Sequence, residues 1–349
     1  LRLAHGHAVD ERVEVLHGNR LVTLALHRAV LADQAQAEGV LLHVVQTAQG
    51  VGLGRRDRLI AGIRGTRAQH DDHLQIPLAE GREELGGRVT IESKLPGLST
   101  WVRVRDYRTN LIQSMGNVDI YRDSPLSAQD VLDFGCDHAV IATGATWTTD
   151  ILAPNGYPSA VLAGDNIFTP DDVLAGAEVE GPVVIYDFDH YYMGNCLAEI
   201  LRKKGLDVTI VTNASAVSAW TFMNNELAEI RSRMIELGVR VELENTVTAF
   251  AQGSVELTSI YRDKTVRSLE CASLVVVGAR KSNDALYQEL VADSDKLADA
   301  GIADVRCIGD CQAPGAIVHA VYSGHECART IDSGSVTEPV LWERPQISP

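Results

Sequence analysis

From residue 78 onward the apolar positions fall into short unbroken runs separated by glycine turns and amphipathic stretches, the pattern of an α/β protein. Leu78-Ala79-Glu80 reads as a strand end bearing an acid, with the glycine turn Glu84-Leu85-Gly86-Gly87-Arg88 shortly after it. Ser127 predicts an N-cap and residues 128–132 a short helix, and His138-Ala139-Val140-Ile141 predicts a buried strand that leaves through Ala142-Thr143-Gly144. Residues 181–187, 193–204 and 207–212 then predict strand, helix and strand. A helix over residues 226–237 ends at Gly238. Beyond it, residues 239–243, 254–257 and 266–269 predict strands of one small sheet, and residues 274–280 an uninterrupted buried strand. Near the end, Val305-Arg306-Cys307-Ile308 predicts a strand running into Gly309-Asp310, followed by a turn with Pro314 and Gly315 and a helix that opens on small residues.

Residues 1–77 lack this pattern. They hold seven of the eleven histidines and no lysine, the first being Lys94. Apolar runs at 21–26 and 41–45 are too short to separate strand from buried helix. Gly50-Val51-Gly52-Leu53-Gly54 has the look of a phosphate loop, yet Arg55-Arg56-Asp57-Arg58 follows, where close helix-on-strand packing needs small residues. The early histidines, His5, His7, His70 and His73 among them, include no pair at i, i+4 spacing, so a solvated surface accounts for them better than a metal site does.

The 349 residues, 45% hydrophobic and 5% aromatic, suffice for a sizeable core and two or three domains. A net charge of −16 argues against nucleic acid or an anionic membrane as partner and leaves small molecules or proteins. The six cysteines, Cys136, Cys196, Cys271, Cys307, Cys311 and Cys327, form no CxxC and no zinc or iron–sulfur spacing, which fits small buried thiols in a reducing compartment. No apolar run reaches the ~18 residues of a membrane helix, and no charged-then-apolar signal stands at the N-terminus. A soluble, cytoplasmic protein is expected.

Candidate chemistry collects at turns. Glu80, at a strand end, can accept hydrogen bonds from ribose hydroxyls, while Gly86 and Gly87 let backbone pass close to a pyrophosphate. Ala142, Thr143 and Gly144 at one strand exit and Gly309 at another offer the same close approach, and Asp310 stands where it can bond a ribityl or ribose hydroxyl. Each of these also reads as an ordinary turn when taken alone. No catalytic and no metal-ligating residue emerges. The turn Asp187-Phe188-Asp189-His190-Tyr191-Tyr192-Met193-Gly194 carries acids and rings where a nicotinamide-binding loop has Gly-x-Gly-x-x-Gly, and two carboxylates at a helix start repel a pyrophosphate. His319 and His325, on the last helix, are expected to face a nucleotide or make core contacts rather than do acid–base work. Tyr191 and Tyr192 are expected to pack the degenerate loop.

Together, Glu80 with Leu85-Gly86-Gly87, Leu95-Pro96-Gly97-Leu98 with Trp101, Arg105-Asp106-Tyr107-Arg108, Val140-Ile141-Ala142-Thr143-Gly144-Ala145-Thr146-Trp147, the 189–194 turn, and Ile308-Gly309-Asp310 with Ser323-Gly324-His325 carry a family likeness. They resemble the C-terminal region of the FMN-dependent N-methyl amine dehydrogenases and demethylases, the group of trimethylamine dehydrogenase, histamine dehydrogenase and N-methylproline demethylase. The resemblance implies two nested Rossmann-like nucleotide-binding folds of the glutathione reductase type: a first FAD/ADP domain from residues 78–180 and 281–333, and an inserted NAD(P)-like domain with a degenerate loop over 181–280. It implies FAD or ADP in this chain, and FMN with a 4Fe-4S cluster in a barrel that has no counterpart here, making the chain a fragment. The expected partners are the nucleotide, an electron-transfer flavoprotein and further copies in a homo-oligomer.

The family pattern also wants Gly-x-Gly-x-x-Gly roughly 20 residues before Glu80. Its absence, with the His-rich and Lys-free front, implies that residues 1–77 are out of frame. Two other readings stay open: an NAD(P)H-flavin reductase related to dienoyl-CoA reductases, against which the acidic 187–190 turn argues, and a non-catalytic docking module for an electron-transfer partner.

Overall fold

The computed structural model describes residues 62–63, 75–151, 160–251, 253–261 and 266–331. The glycine run at 50–54 and His5, His7, His70 and His73 lie outside them. The chain enters with β1 (Gly62–Ile63) and β2 (Ile76–Ala79), then α1 (Gly87–Glu92), α2 (Val102–Gln113) and β3 (Val118–Tyr121). Next come α3 (Ala128–Phe134), β4 (His138–Ile141), β5 (Ala145–Trp147), the short strands β6 (Val161–Leu162) and β7 (Ile167–Phe168), and α4 (Pro170–Leu174). They are followed by β8 (Val183–Asp187), α5 (Met193–Lys203), β9 (Val208–Val211), α6 (Leu227–Glu236) and β10 (Arg240–Glu242), then β11 (Asn245–Ala251), β12 (Ser254–Ser259) and β13 (Val266–Glu270). The last elements are β14 (Ser273–Val277), β15 (Arg280–Ser282), α7 (Ala285–Val291), α8 (Ser294–Asp299), β16 (Asp304–Cys307) and α9 (Ile317–Thr330).

The fold is mixed α/β. A parallel sheet of five strands runs β10-β9-β8-β14-β7, and every residue of β8 and β14 is buried, as the middle of a sheet covered on both faces requires. The period of two along these strands divides the core. Val183, Ile185, Val275 and Val277 pack with Leu197 and Leu201 of α5, while Val184, Tyr186, Leu274 and Val276 pack with Val247, Phe250, Val255 and Leu257. The latter four come from a second sheet, β13-β12-β11-β6.

Elsewhere β4 and β16 pair in parallel, with Ile141 opposite Cys307, and β1 pairs antiparallel to β4. β2 and β3 form a separate parallel pair, and β1 lies against both β2 and β4. Arg306 holds the C-terminal end of α9 on β16 by donating to the carbonyls of Cys327, Thr330 and Ile331. That clamp aims the other end of α9 at the Gly309 turn.

Two expectations change. Residues 239–243 do not join the small sheet: β10 lies parallel to β9, Arg240 opposite Thr209, at the edge of the five-stranded sheet. An edge strand is half exposed, so its alternation imitates that of a small antiparallel sheet. The strand that does pair there, β11, is masked in the sequence by its threonines and Asn245. Residues 274–280 are not one strand, because the chain breaks at Gly278, where a Cβ would stand 2.9 Å from the carbonyl oxygen of Asp150, and resumes as β15 against β5. Ahead of residue 181, β6 pairs with β11 and β7 with β14.

Candidate functional site

The parallel register of β4 and β16 sets two turns side by side at the C-terminal ends of these strands, the edge where ligands approach open α/β sheets. Ile308 N donates to Ile141 O at 2.9 Å, and from there Ala142-Thr143-Gly144 and Gly309-Asp310 diverge from adjacent strands. Gly144 and Gly309 have φ of 77° and 61°, the left-handed region that glycine adopts at least cost. Gly309 N donates to Ser323 Oγ at 2.9 Å, so α9 buttresses the turn.

Gly86 and Gly87 sit at the start of α1 with φ of 101° and 49°. One residue on, Arg88 donates to the carbonyl of Ala145 at 2.9 Å and forms a two-pronged pair with Asp171. This brings the glycine pair toward the Thr143 turn. Glu80 stands at the end of β2, where its carboxylate accepts from Arg82 N at 3.2 Å. It belongs to the β2–β3 pair and is separated from the other candidates by β1. The eight residues thus divide into four at the β4–β16 exits with Asp310 beside them, two linked through Arg88, and Glu80 apart.

Asp310 is already engaged. Its Oδ2 accepts from Arg280 Nη1 at 2.8 Å and its Oδ1 from Gly315 N at 3.0 Å, while Arg280 Nη2 donates to Gly315 O at 2.8 Å. A Cβ on Gly315 would lie 2.8 Å from His319 Nδ1, and that ring nitrogen accepts from Ala316 N at 3.0 Å. His319 therefore caps its own helix from an exposed position, a role different from the core or ligand-facing contact expected of it. His325 is buried on the same helix.

The second turn is filled from within. Asp187, fully buried, lays its carboxyl against Gly194 at the first turn of α5, where a Cβ would come within 2.7 Å of it. Its Oδ1 accepts from His190 N at 3.1 Å, and its Oδ2 has no partner among the described residues. Burial, with Asp189 adding its charge, pushes the Asp187 carboxyl up to about 7. Burial also raises Asp189, against the pull of Arg280. Tyr191 and Tyr192 touch with their rings tilted at 59°, and Tyr192 meets Trp101 edge-on and bonds Glu226, so both pack the loop as expected.

Three further residues, Arg88, Arg280 and Asn283, belong to the site without any signal in the sequence. Arg280 pairs with Asp310, draws Asp189 down by its charge, and lies over the Trp147 ring at 5.5 Å, as Arg88 does at 5.9 Å. Asn283 laces the Thr143 turn, accepting from Thr143 Oγ1 and donating to Thr143 O. None has a local motif, and their partners are supplied by folding. Among the described residues, no helix is long and apolar enough to cross a membrane, and no three of His, Cys, Asp and Glu are grouped to hold a metal.

A family model, the OYE-like second alpha/beta domain, matches residues 168–286. Over 312 residues the chain is 30% identical to dimethylamine dehydrogenase of Hyphomicrobium sp. (strain x), covering 82% of this chain and 42% of that protein. It superposes on histamine dehydrogenase from Rhizobium sp. 4-9 with a TM-score of 0.72 and 40% identity, covering 78% of this chain and 43% of that one. On 6-hydroxypseudooxynicotine amine oxidase from Pseudomonas geniculata N1 the TM-score is 0.68 at 35% identity, over 73% and 38%. The chain spans less than half the length of these relatives.

Proposed function

Because the chain is homologous to dimethylamine dehydrogenase and histamine dehydrogenase, consistent with the C-terminal region of the trimethylamine/histamine dehydrogenase family, we propose that it is the nucleotide-binding part of a flavin-dependent amine dehydrogenase or demethylase. In this reading the chemistry lies elsewhere: an FMN held in a barrel outside this chain would supply the hydride-accepting chemistry. Here the residues bind and orient a nucleotide in a first domain built on β4 and β16, interrupted by an NAD(P)-like domain on the five-stranded sheet, in the nested arrangement of glutathione reductase.

The turns suit a nucleotide. At Gly87 and Gly144 a Cβ would meet nothing within 4 Å, so backbone there is open to close approach. Glu80 would accept from ribose hydroxyls, Gly86 and Gly87 would pass near a pyrophosphate, and the Thr143 and Gly309 turns would close the cradle. The observation that carries the finer choice is Asp310. With each carboxylate oxygen bonded once to protein, by Arg280 and by Gly315 N, Asp310 keeps only about one acceptor site per oxygen for a ligand, which weakens its hold on a ribityl chain and favours ADP over FAD. The NAD(P)H-reductase reading is opposed by Asp187, whose carboxyl occupies the first turn of α5 where a pyrophosphate would need to sit.

Purified full-length chain, denatured and chromatographed, is expected to release ADP and show no flavin absorbance. ADP titrated into stripped protein is expected to bind and raise the melting temperature, and FAD is not. A flavin band would overturn the choice of ADP, and the absence of both nucleotides and of ADP binding would overturn the reading.

A further inference from the structure

The nucleotide reading leaves Cys307 and Cys311 without a role. Cys307 closes β16 only partly buried, and Cys311 is 1% exposed in the 3₁₀ turn Gly309–Cys311. Their Sγ atoms are 3.0 Å apart, and Thr143 Oγ1 stands 3.1 Å from Cys311 Sγ. The two thiols flank the backbone of Gly309 and Asp310 itself. Sulfurs this close need move only about 1 Å to reach disulfide bonding distance, so the geometry of the pair is near that of a closed bond.

We propose that Cys307 and Cys311 are a redox-active dithiol that closes to an intramolecular disulfide on reaction with a low-molecular-weight disulfide such as oxidised glutathione. The Cys307 thiolate attacks one glutathione sulfur, expelling a glutathione thiolate and forming a mixed disulfide. The Cys311 thiolate then attacks the Cys307 sulfur and expels the second glutathione. The protein gives up two electrons and two protons, and glutathione disulfide takes them up as two thiols. Closure shortens the sulfur separation from 3.0 Å to about 2.05 Å, drawing Cys311 from Thr143 and tightening the turn that bears Gly309 and Asp310. Burial and the neighbouring Cys311 push the Cys307 thiol up to about 12, so closure quickens as pH rises. The further consequence, a several-fold change in ADP affinity between the reduced and oxidised forms, rests on the nucleotide reading above.

The full-length chain is incubated with oxidised glutathione at near-neutral and alkaline pH, alkylated, digested with trypsin and chymotrypsin, and mapped by mass spectrometry. Cys307 and Cys311 are expected to be joined and protected from alkylation, faster at alkaline pH, and freed again by dithiothreitol. Cys307→Ser is expected to form no intramolecular bond. Free alkylation of both cysteines at alkaline pH, glutathione lodged on Cys307 with Cys311 still free, or a bond from Cys311 to Cys327 would each overturn the proposal. Because mapping needs no ligand, ADP titrations separate the two claims. Equal affinity in both redox forms sinks the coupling, and no affinity in either sinks the nucleotide reading while the thiol chemistry stands.

Discussion

Asp187 shows how one side chain can set the behaviour of a turn. Its carboxyl is buried against Gly194 and pushed up to about 7, so the folded protein holds a proton there that the unfolded chain gives up near the ordinary carboxylate range. Between those values the native state binds more protons than the unfolded one, and stability falls as pH rises through that window, by about 1.4 kcal/mol for each pH unit crossed. Below the window the cost vanishes, and above it the full cost remains. Asp187→Asn is expected to lose this slope, so that its melting temperature gains on the wild type from about pH 4 to about pH 7. Parallel curves for the two proteins would refute the assignment.

At the same scale, Gly86→Ala puts a Cβ 2.5 Å from Arg105 Cγ at a φ of 101°, and a loss of about 1–3 kcal/mol in denaturant unfolding is expected. Turn residues of this kind are legible in a sequence because Gly and Asp declare a local backbone need. Arg280 is not legible. Asp310 and Gly315 lie 30 and 35 residues beyond it, and nothing in the neighbourhood of Arg280 announces either.

Among the elements, α3 and α4 are fixed at their starts by capping boxes, Ser127 with Asp130 and Thr169 with Asp172, each with both reciprocal bonds. Ser127→Ala is expected to cost about 1 kcal/mol, read as a shift in the denaturation midpoint without change in slope. The Ser127 cap, β8, α5 and β9 are all readable because cap chemistry and burial periods are properties of a few consecutive residues. β10 and β11 are not, since which sheet a half-exposed strand joins depends on partners far along the chain: local alternation assigns β10 to the small sheet and leaves β11 unmarked. The same reasoning covers the break at Gly278, which exists because the backbone of Asp150 passes close by.

Over the whole molecule, Arg280 ties the two halves of the site together. It pairs with Asp310 at 2.8 Å, the two side chains 15% and 16% exposed, lies over Trp147, and acts on Asp189 and Glu92. Arg280→Met keeps much of the side-chain volume but leaves Asp310 without its charge partner, and a loss of about 3 kcal/mol in unfolding free energy is expected. On the ADP reading proposed above, the same variant is expected to bring the affinities for ADP and FAD closer together, measured by titration of both.

The pairing of β4 with β16 has a consequence for how the chain comes to exist. Thr143 and Cys311, which touch across the finished turns, are 168 residues apart. At ribosomal speeds of about 5–20 residues per second, β4 waits on the order of ten to thirty seconds for its parallel neighbour, with the five-stranded sheet emerging in between. During that interval one edge of β4 is unpaired, and the stretch most exposed to wrong pairing is the one that later carries Thr143 and Gly144. A nascent chain stalled before residue 304 should therefore protect the five-stranded sheet from protease while leaving β4 open to cleavage. The turn that carries Thr143 and Gly144 is thus among the last parts of the molecule to acquire its shape.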